Sequence, residues 1–493
     1  MLNLISEPWI PVIRRTGRDT IRPDQIAEPD VLRLDWPRPD LNLACLELLI
    51  GMVYLSHPPK DRTGRASPPD SASLRPALGT LAPAFNLLGS GPRFLQDFEP
   101  LQGDASPPEM LFIDSAGGNT AKKNADLMVR RGRYEALSLP LAAMALYTLQ
   151  AFAPSGGAGN RTSMRGGGPM VTLVKPSTDG LWPLVWANVP TGEPLGADEF
   201  DALPWMRPTQ ASKPVGKRAP ITVPTSESRS RPDPEVFFGQ PRRLRLIASD
   251  GSVTGVVQQP WGTNYRGWMH PLTPYYNDGT EMLPRHPKPG RFGYRNWRGV
   301  ILESEADQRP ATLLRYLHDF EGARCSLIVA GWAMDNMKPL DFLWSEQPVF
   351  PLSEDHEDRA AAAVEAAEQA GYAVAASVRD AVGGDDVKSG AGQRAREAFF
   401  GSTQDAFEDM LEAMSAGGPF APCEWVEAMR RAALPIFDRE VMPWLADLGE
   451  ARRQKAVKAR STLIAAFSGR RPMGKKIFDP LGLEAPAKQA RER

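Results

Sequence analysis

Residues 151 to 170, "AFAPSGGAGNRTSMRGGGPM", place six glycines, two arginines and one Asn in a single stretch. Glycine admits positive-φ turns and lets another backbone approach, so a run carrying Arg161 and Arg165 is suited to meeting something anionic. Phosphate is the first candidate. The nucleotide P-loop requires Gly, four residues, then Gly-Lys-Ser/Thr ahead of a helix. Here Ser155 stands at the first glycine, Asn160 at the second and Arg161 at the Lys. The stretch departs from that motif at its defining positions, and a surface loop whose glycines serve tight turns is the plain alternative.

Other groups capable of chemistry are scattered. His57, His270, His286, His318 and His356 form no His-Glu-x-x-His, and no Gly-x-Ser-x-Gly elbow or Cys/His zinc spacing is present. His270 and His286 bracket "PLTPYYNDGTEMLPR", where no carboxylate partners for a metal are assignable, so a hydrogen-bonded structural histidine is expected. Cys45, Cys325 and Cys423 are far apart and odd in number, which implies reduced, buried thiols. No catalytic residue, metal site or cofactor follows from these patterns, and the expectation is a protein that is not an enzyme.

The elements that position the glycine-rich stretch are mixed. A chain of 493 residues with 42% hydrophobic content is long enough for two or three domains. Short β-rich runs at 8 to 13, 170 to 174, 242 to 248 and 326 to 332 alternate with helical stretches at 41 to 55 and 138 to 152. Pro-, Ser- and charge-rich segments at 57 to 75 and 207 to 235 are expected as exposed loops, the second bearing Lys213, Lys217, Arg218, Arg229 and Arg231. No basic leader precedes an apolar run, and no stretch of about eighteen apolar residues occurs, so a soluble cytoplasmic protein is expected.

After residue 352 the strand signals stop. Val364, Ala367, Gly371, Ala375, Val378 and Val382 fall at helical spacing; Phe400, Phe407, Leu411 and Met414 follow, then Trp425, Met429, Ala433 and Ile436. A last helix is expected from about Leu448 through Val457 and Ile464 to Phe467. The fold class is therefore α+β, a mixed α/β body over 1–352 followed by an antiparallel four-helix bundle over 353–493. Net charge is -1, so any nucleic-acid surface must come from local clustering. One cluster is evident: Arg452, Arg453, Lys455, Lys458, Arg460, Arg470, Arg471, Lys475 and Lys476, with Glu450 the one carboxylate there before Asp479. A solvated face normally mixes its signs, so backbone contact with nucleic acid is a reading of equal weight.

Several segments together resemble a known family, the CasA large subunits of type I-E CRISPR surveillance complexes called Cascade. They are "NLISEPWIPV", "FNLLGSGPRFLQD", "NADLMVRRGRYEALS", "APSGGAGNRTSMRGGGP", "FFGQPRRLRL", "WMHPLTPYY" and "AGWAMDNMK", whose order spans nearly the whole chain. The resemblance implies a subunit that reads the PAM, the short motif beside a double-stranded DNA target, while guide pairing reads the rest. Readout from the minor groove is degenerate, in keeping with tolerance of several motifs. The family's glycine loop corresponds to Gly156, Gly157, Ala158, Gly159, Asn160 and Arg161. Its wedge, which helps part the duplex, falls on Asn336 with Met337 and Lys338, where some relatives carry Gln. Its basic finger has no Lys counterpart, and either Asn277 or Arg285 stands in its place.

A further family loop, which docks the subunit near the guide RNA, corresponds to Leu127, Met128 and Val129 with Arg130, Arg131 and Arg133 beside it. The resemblance also implies that the bundle, through Arg452, Arg453, Lys455 and Lys458, holds displaced non-target DNA. Implied partners are the other Cascade subunits, CRISPR RNA, target DNA and the helicase-nuclease that lands on the complex. Two other readings remain open: an architectural subunit without DNA readout, and a nucleotide-binding enzyme using the loop at 156 to 162.

Overall fold

The computed structural model describes residues 2–115, 122, 129–157, 159–216, 218–224, 232–320, 322–383, 390–445 and 449–484. Two compact units share the chain. The first comprises Met1–Arg291 and Arg309–Pro348, the second Phe292–Gln308 and Val349–Arg493.

The first unit is built round the helix Pro39–Ser56, whose near-continuous apolar sequence leaves no wet face. It is long and apolar enough to cross a membrane, yet 89% of it is buried. A helix was expected at 41 to 55, but not one so apolar over its whole length, because Asp40 and Glu47 interrupt the apolar run. Both carboxylates meet arginines, Asp40 pairing with Arg38 at 2.8 Å and Glu47 with Arg165 at 2.6 Å. Helix Leu139–Phe152, capped by Ser138, packs beside it.

Three small antiparallel sheets flank these helices. In one, Ile10–Arg14 lies between Gly17–Ile21 and Val31–Leu34. Another has Cys325–Asp335 between Lys338–Val349 and Val171–Pro176, with Ala330 opposite Val171. In the third, Ser252–Gln259 separates Arg243–Ser249 from the short Leu137–Ser138. An aromatic cluster fills the core beneath them, with Phe94 and Trp205 centred 5.1 Å apart and Phe85 and Phe94 5.3 Å apart.

Two expectations are corrected here. The segment 57 to 75 is not simply an exposed loop: it contains helix Arg62–Arg65 and the start of helix Ser71–Gly79, and Arg65 is buried against Asp319 at 3.1 Å. A distant carboxylate makes that burial possible, which local composition cannot show. Of the cysteines, Cys45 and Cys325 are buried, each thiol pushed up to about 12 by burial, whereas Cys423 is exposed.

The second unit is helical. Its long helices are Glu354–Val382, Ala391–Ser415, Pro422–Val441 and Glu450–Ala466, followed by Arg471–Phe478. The first of these, alanine-rich and opened by a Ser353 cap, packs against each of the other four. Phe400, Phe407, Leu411, Met414, Trp425, Met429, Ala433 and Ile436 are buried as their spacing predicts. The expected stripe of the fourth helix is corrected. Val457 is 64% exposed, and the buried face is Ala456, Ala459, Leu463 and Ala466, with Phe467 buried beyond its end. Small residues allow close approach to the alanine face opposite, so the large apolar residue is the one left outside.

The inserted segment Phe292–Gln308 enters this unit through two aromatic residues. Tyr294 stacks on Phe407 at 4.4 Å, and its hydroxyl is 2.7 Å from Thr403 Oγ1. Its backbone N–H donates to Gln404 Oε1 at 3.1 Å, and Trp297 meets the edge of Phe407 at 5.7 Å. Tyr294→Phe should cost about 1 kcal/mol for the buried hydrogen bond, and Tyr294→Ala about 3–5 kcal/mol for the cavity. Denaturant unfolding monitored by helical circular dichroism checks both; equal, small losses would show that the segment is only draped over the helices.

Candidate nucleic-acid interface

The glycine-rich stretch is two structures in series. Its first half is a tight turn in which Gly156 N–H donates to Asn160 O at 3.2 Å and Asn160 N–H to Gly157 O at 2.8 Å. Ser155, Gly156 and Gly157 are exposed at its tip. Gly157 has φ +66, and a side chain there would meet nothing within 4 Å. Gly159 is different: at φ +82, its Cβ would lie 2.6 Å from the Trp261 ring. Ala158 lies outside the described residues.

Trp261 forms the floor of this turn. Its N–H donates to Gly159 O at 2.8 Å, and its carbonyl accepts from Ser212 N–H at 2.9 Å. The Arg161 guanidinium sits 5.3 Å from the Trp261 ring centre, and donates to Ser212 Oγ at 2.8 Å and Ser212 O at 3.2 Å. Asn160 Oδ1 accepts from Gln258 Nε2 at 2.9 Å. Both side chains thus brace the turn from below. Trp261 was not singled out by the sequence; its φ of +68, rare for a bulky residue, becomes visible only in the backbone.

Arg165 does not meet an outside anion, which corrects the reading of the stretch as flanked by two available cations. Its side chain is 3% exposed, and the anion it meets is Glu47, itself 1% exposed. It also donates to Thr273 Oγ1 at 3.2 Å and lies 5.5 Å from the Phe152 ring centre. Burial raises the Glu47 carboxyl, opposed by Arg165. His270, 3.7 Å from Glu47, is held well below its ordinary range by burial and by Arg165, so it stays neutral while its Nδ1 accepts from Leu272 N–H at 3.2 Å.

The second half of the stretch runs against a hairpin tip. Strands Cys325–Asp335 and Lys338–Val349 are joined by two residues, Asn336 with φ +47 and Met337 with φ +63. Positive φ at both central positions is the type I′ hairpin turn, which favours Asn-Gly or Asp-Gly. The same chain uses Asp250-Gly251 between Arg243–Ser249 and Ser252–Gln259. At the tip it places Met instead, 43% exposed, with Sδ 2.8 Å from where a Cβ on Gly167 would stand. Asn336 Nδ2 donates to Asp335 Oδ1 at 3.1 Å, and Lys338 is exposed.

The third predicted element adjoins the same stretch by its base. Met170 N–H donates to Arg285 O at 2.9 Å, and a Cβ on Gly166 would lie 2.8 Å from His286 Nε2. The hairpin Tyr275–Asn277 with Met282–Pro284 carries Asp278 and Glu281 in its turn. Asn277 Oδ1 accepts from Gly279 N–H at 2.8 Å, and Arg266 pairs with Glu281 at 3.2 Å. Asn277 is thus occupied in shaping its own turn, whose tip is acidic. Arg285 is half-buried at the hairpin's end.

The remaining predicted residues lie on other elements. Leu127 and Met128 lie outside the described residues; Val129 is half-buried, while Arg130 and Arg131 are exposed. Arg133 pairs with Asp114 at 2.6 Å, next to Arg38 and the stacked Phe112 and Tyr134. In the second unit Arg452, Arg453, Lys455 and Lys458 are all exposed on the helix Glu450–Ala466, whereas Arg460 is taken by Asp438 at 2.7 Å.

Two variants test this geometry. Gly159→Ala combines positive-φ strain with a collision against Trp261 and should cost about 2–4 kcal/mol, read as a lowered melting temperature and faster proteolysis at the turn. Met337→Gly restores the favoured type I′ sequence and should raise stability by up to about 1 kcal/mol; a lowered melting temperature would show that Met337 is there for packing.

The chain matches the model of the family described as CRISPR-associated protein Cse1 over residues 3–436. Among solved structures, a CasA from Thermus thermophilus is 20% identical with a TM-score of 0.67, over 98% of this chain and 99% of that one. Cse1 from Thermobifida fusca is 19% identical with a TM-score of 0.65, over 98% of each. A chain described as a CRISPR RNA-guided surveillance complex is 14% identical with a TM-score of 0.66, over 94% of this chain and 99% of that one. At such identities these structures share a fold with this protein, and the family match, spanning most of its length, carries the assignment: the chain belongs to the CRISPR-associated Cse1 family.

Proposed function

We propose that this protein is the large subunit of a type I-E Cascade complex, working in the cytoplasm with the other subunits and CRISPR RNA, and that it is not itself an enzyme. On this reading it finds the PAM in double-stranded DNA, helps open the duplex for guide pairing, and offers a landing surface to the helicase-nuclease. Gly156, Gly157, Ala158, Gly159, Asn160 and Arg161 form the reading turn, with Arg161 acting by fixing the turn on Trp261. Asn336, Met337 and Lys338 form the wedge. Of the two finger candidates, Arg285 fits better, since it alone brings the positive charge that a basic finger requires.

The remaining assignments follow the same reading. Leu127, Met128, Val129, Arg130 and Arg131 dock the subunit beside the guide RNA. Four helices of the second unit act as an antiparallel bundle, on which Arg452, Arg453, Lys455 and Lys458 hold the displaced strand.

One observation supports the reading above all: the glycine stretch and the strained hairpin tip, far apart in sequence, come together where the Met337 thioether packs against the buried Gly167. A backbone turn free of side chains can sit against base edges in a narrow groove, and a partly exposed apolar side chain such as Met337 can enter a base step.

The test is binding of the assembled complex, with and without this chain, to target duplexes bearing a randomised flank at a stated salt concentration. Wild type should discriminate among flanks by about tenfold or more. Gly157→Asp places its side chain in open space but at φ +66, a strain of about 1 kcal/mol that Asp tolerates better than most residues; it should still fold and lose that discrimination, and Asn336→Ala should weaken duplex opening. Equal affinity for every flank would leave only an architectural role.

A further inference from the structure

The turn rests on a cation that neither the motifs nor the roles above account for. Arg242 is 6% exposed, and its backbone is clamped by Gln150, whose Oε1 accepts from Arg242 N–H at 3.0 Å while Nε2 donates to its carbonyl at 2.9 Å. The side chain points under the turn. Nη2 donates to Pro154 O, Nη1 lies 2.8 Å from where a Cβ on Gly156 would stand, and Nε has no hydrogen-bond partner.

Among the described residues no carboxylate pairs with it. Arg65 and Arg165, comparably buried, meet Asp319 and Glu47 at 3.1 and 2.6 Å. Burial alone pulls the Arg242 guanidinium down to about 10, so it remains charged at neutral pH. A buried charge without a counter-ion is costly unless an anion arrives to complete it. The guanidinium lies against the backbone of Pro154 and Gly156; Ser155, Gly156 and Gly157 are exposed, and glycine at 156 keeps a Cβ out of the space that Nη1 shares with the Asn160 side chain.

We infer that Arg242 and the Pro154–Gly157 backbone form a phosphodiester site, in which a nucleic-acid backbone phosphate seated on the turn is the counter-ion that Arg242 lacks within the protein. This rests on the reading that this face meets DNA, but gives Arg242 a role of its own. Base edges are sensed by the turn, whereas Arg242 attracts the backbone regardless of sequence. The charge expected of the loop's own arginines is supplied instead from the residue just before the strand Arg243–Ser249.

The experiment measures target-duplex affinity of the assembled complex across a salt series for wild type, Arg242→Gln and Arg242→Lys, with melting of each free full-length chain alongside. Arg242→Gln should lower the slope of log affinity against log salt by about 0.9, the value for one phosphate. It should weaken all flanks by the same factor, about tenfold at low salt, and leave the melting temperature unchanged or raised. Arg242→Lys should keep most of the slope. An unchanged slope, or a lowered melting temperature with loss of flank preference, would overturn the site and leave Arg242 as a prop for the turn. Stabilisation of the wild-type chain by inorganic phosphate or ATP, lost in Arg242→Gln, would replace the duplex by a small phosphate ligand. A slope change in a complex with no flank preference would sink the PAM reading and uphold this one.

Discussion

The buried ion pair between Glu47 and Arg165 is the constraint on which the first unit turns. A carboxylate in the middle of an otherwise apolar core helix can persist only if it is neutralised and hydrogen-bonded. Arg165 supplies both, at 2.6 Å. Because that arginine belongs to the glycine-rich stretch, the pair fixes the stretch to the hydrophobic core. Its other contacts, to Thr273 and the Phe152 ring, draw in the segment leading to the acidic hairpin and the end of the second core helix. Neutral His270 beside Glu47 leaves the arginine as the sole full positive charge facing that carboxylate among the described residues. A flexible glycine sequence is thereby given a rigid root, and only its first turn stays exposed.

The face above this root concentrates backbone strain. Six non-glycine residues among those described have positive φ, and Trp261, Asn336 and Met337, half of them, border the glycine stretch. Strain of this kind costs stability and persists where surrounding contacts over-determine it. Here the contacts are specific: Trp261 is pinned by backbone hydrogen bonds on both sides, and Met337 by a two-residue turn between long strands. The Asp250-Gly251 turn shows the relaxed version of the same geometry in the same chain. The departure at Met337 is therefore local to this face.

What the sequence made legible was mostly local. Glycine spacing located the exposed turn, and the spacing of large apolar residues in the second and third long helices predicted their buried faces; Asn336 and Met337 were singled out by family resemblance alone, and the hairpin they close was not foreseen. What escaped depended on distant partners. Arg165 reads as a free cation until Glu47, 118 residues away, is found beside it. Arg242 sits in a run of basic residues that looks like an ordinary strand edge, yet its guanidinium reaches Pro154, 88 residues back. Trp261 carries no motif at all. In the last long helix the pattern misled because alanines, invisible to a search for large apolar residues, make the contact.

The discontinuity of the two units bears on how the chain is made. A ribosome delivers residues in order, but the first unit needs the strand Cys325–Asp335 to pair with Val171–Pro176. Before that strand emerges, Phe292–Gln308 has already been synthesised with Tyr294 and Trp297, whose aromatic partners Phe407 and Trp425 come much later in the chain. For that interval a pair of large aromatic rings waits unburied between two halves of an unfinished unit. Completion of either unit therefore waits on a late part of the chain, and exposed apolar surface of this kind is what makes incompletely folded intermediates prone to aggregate.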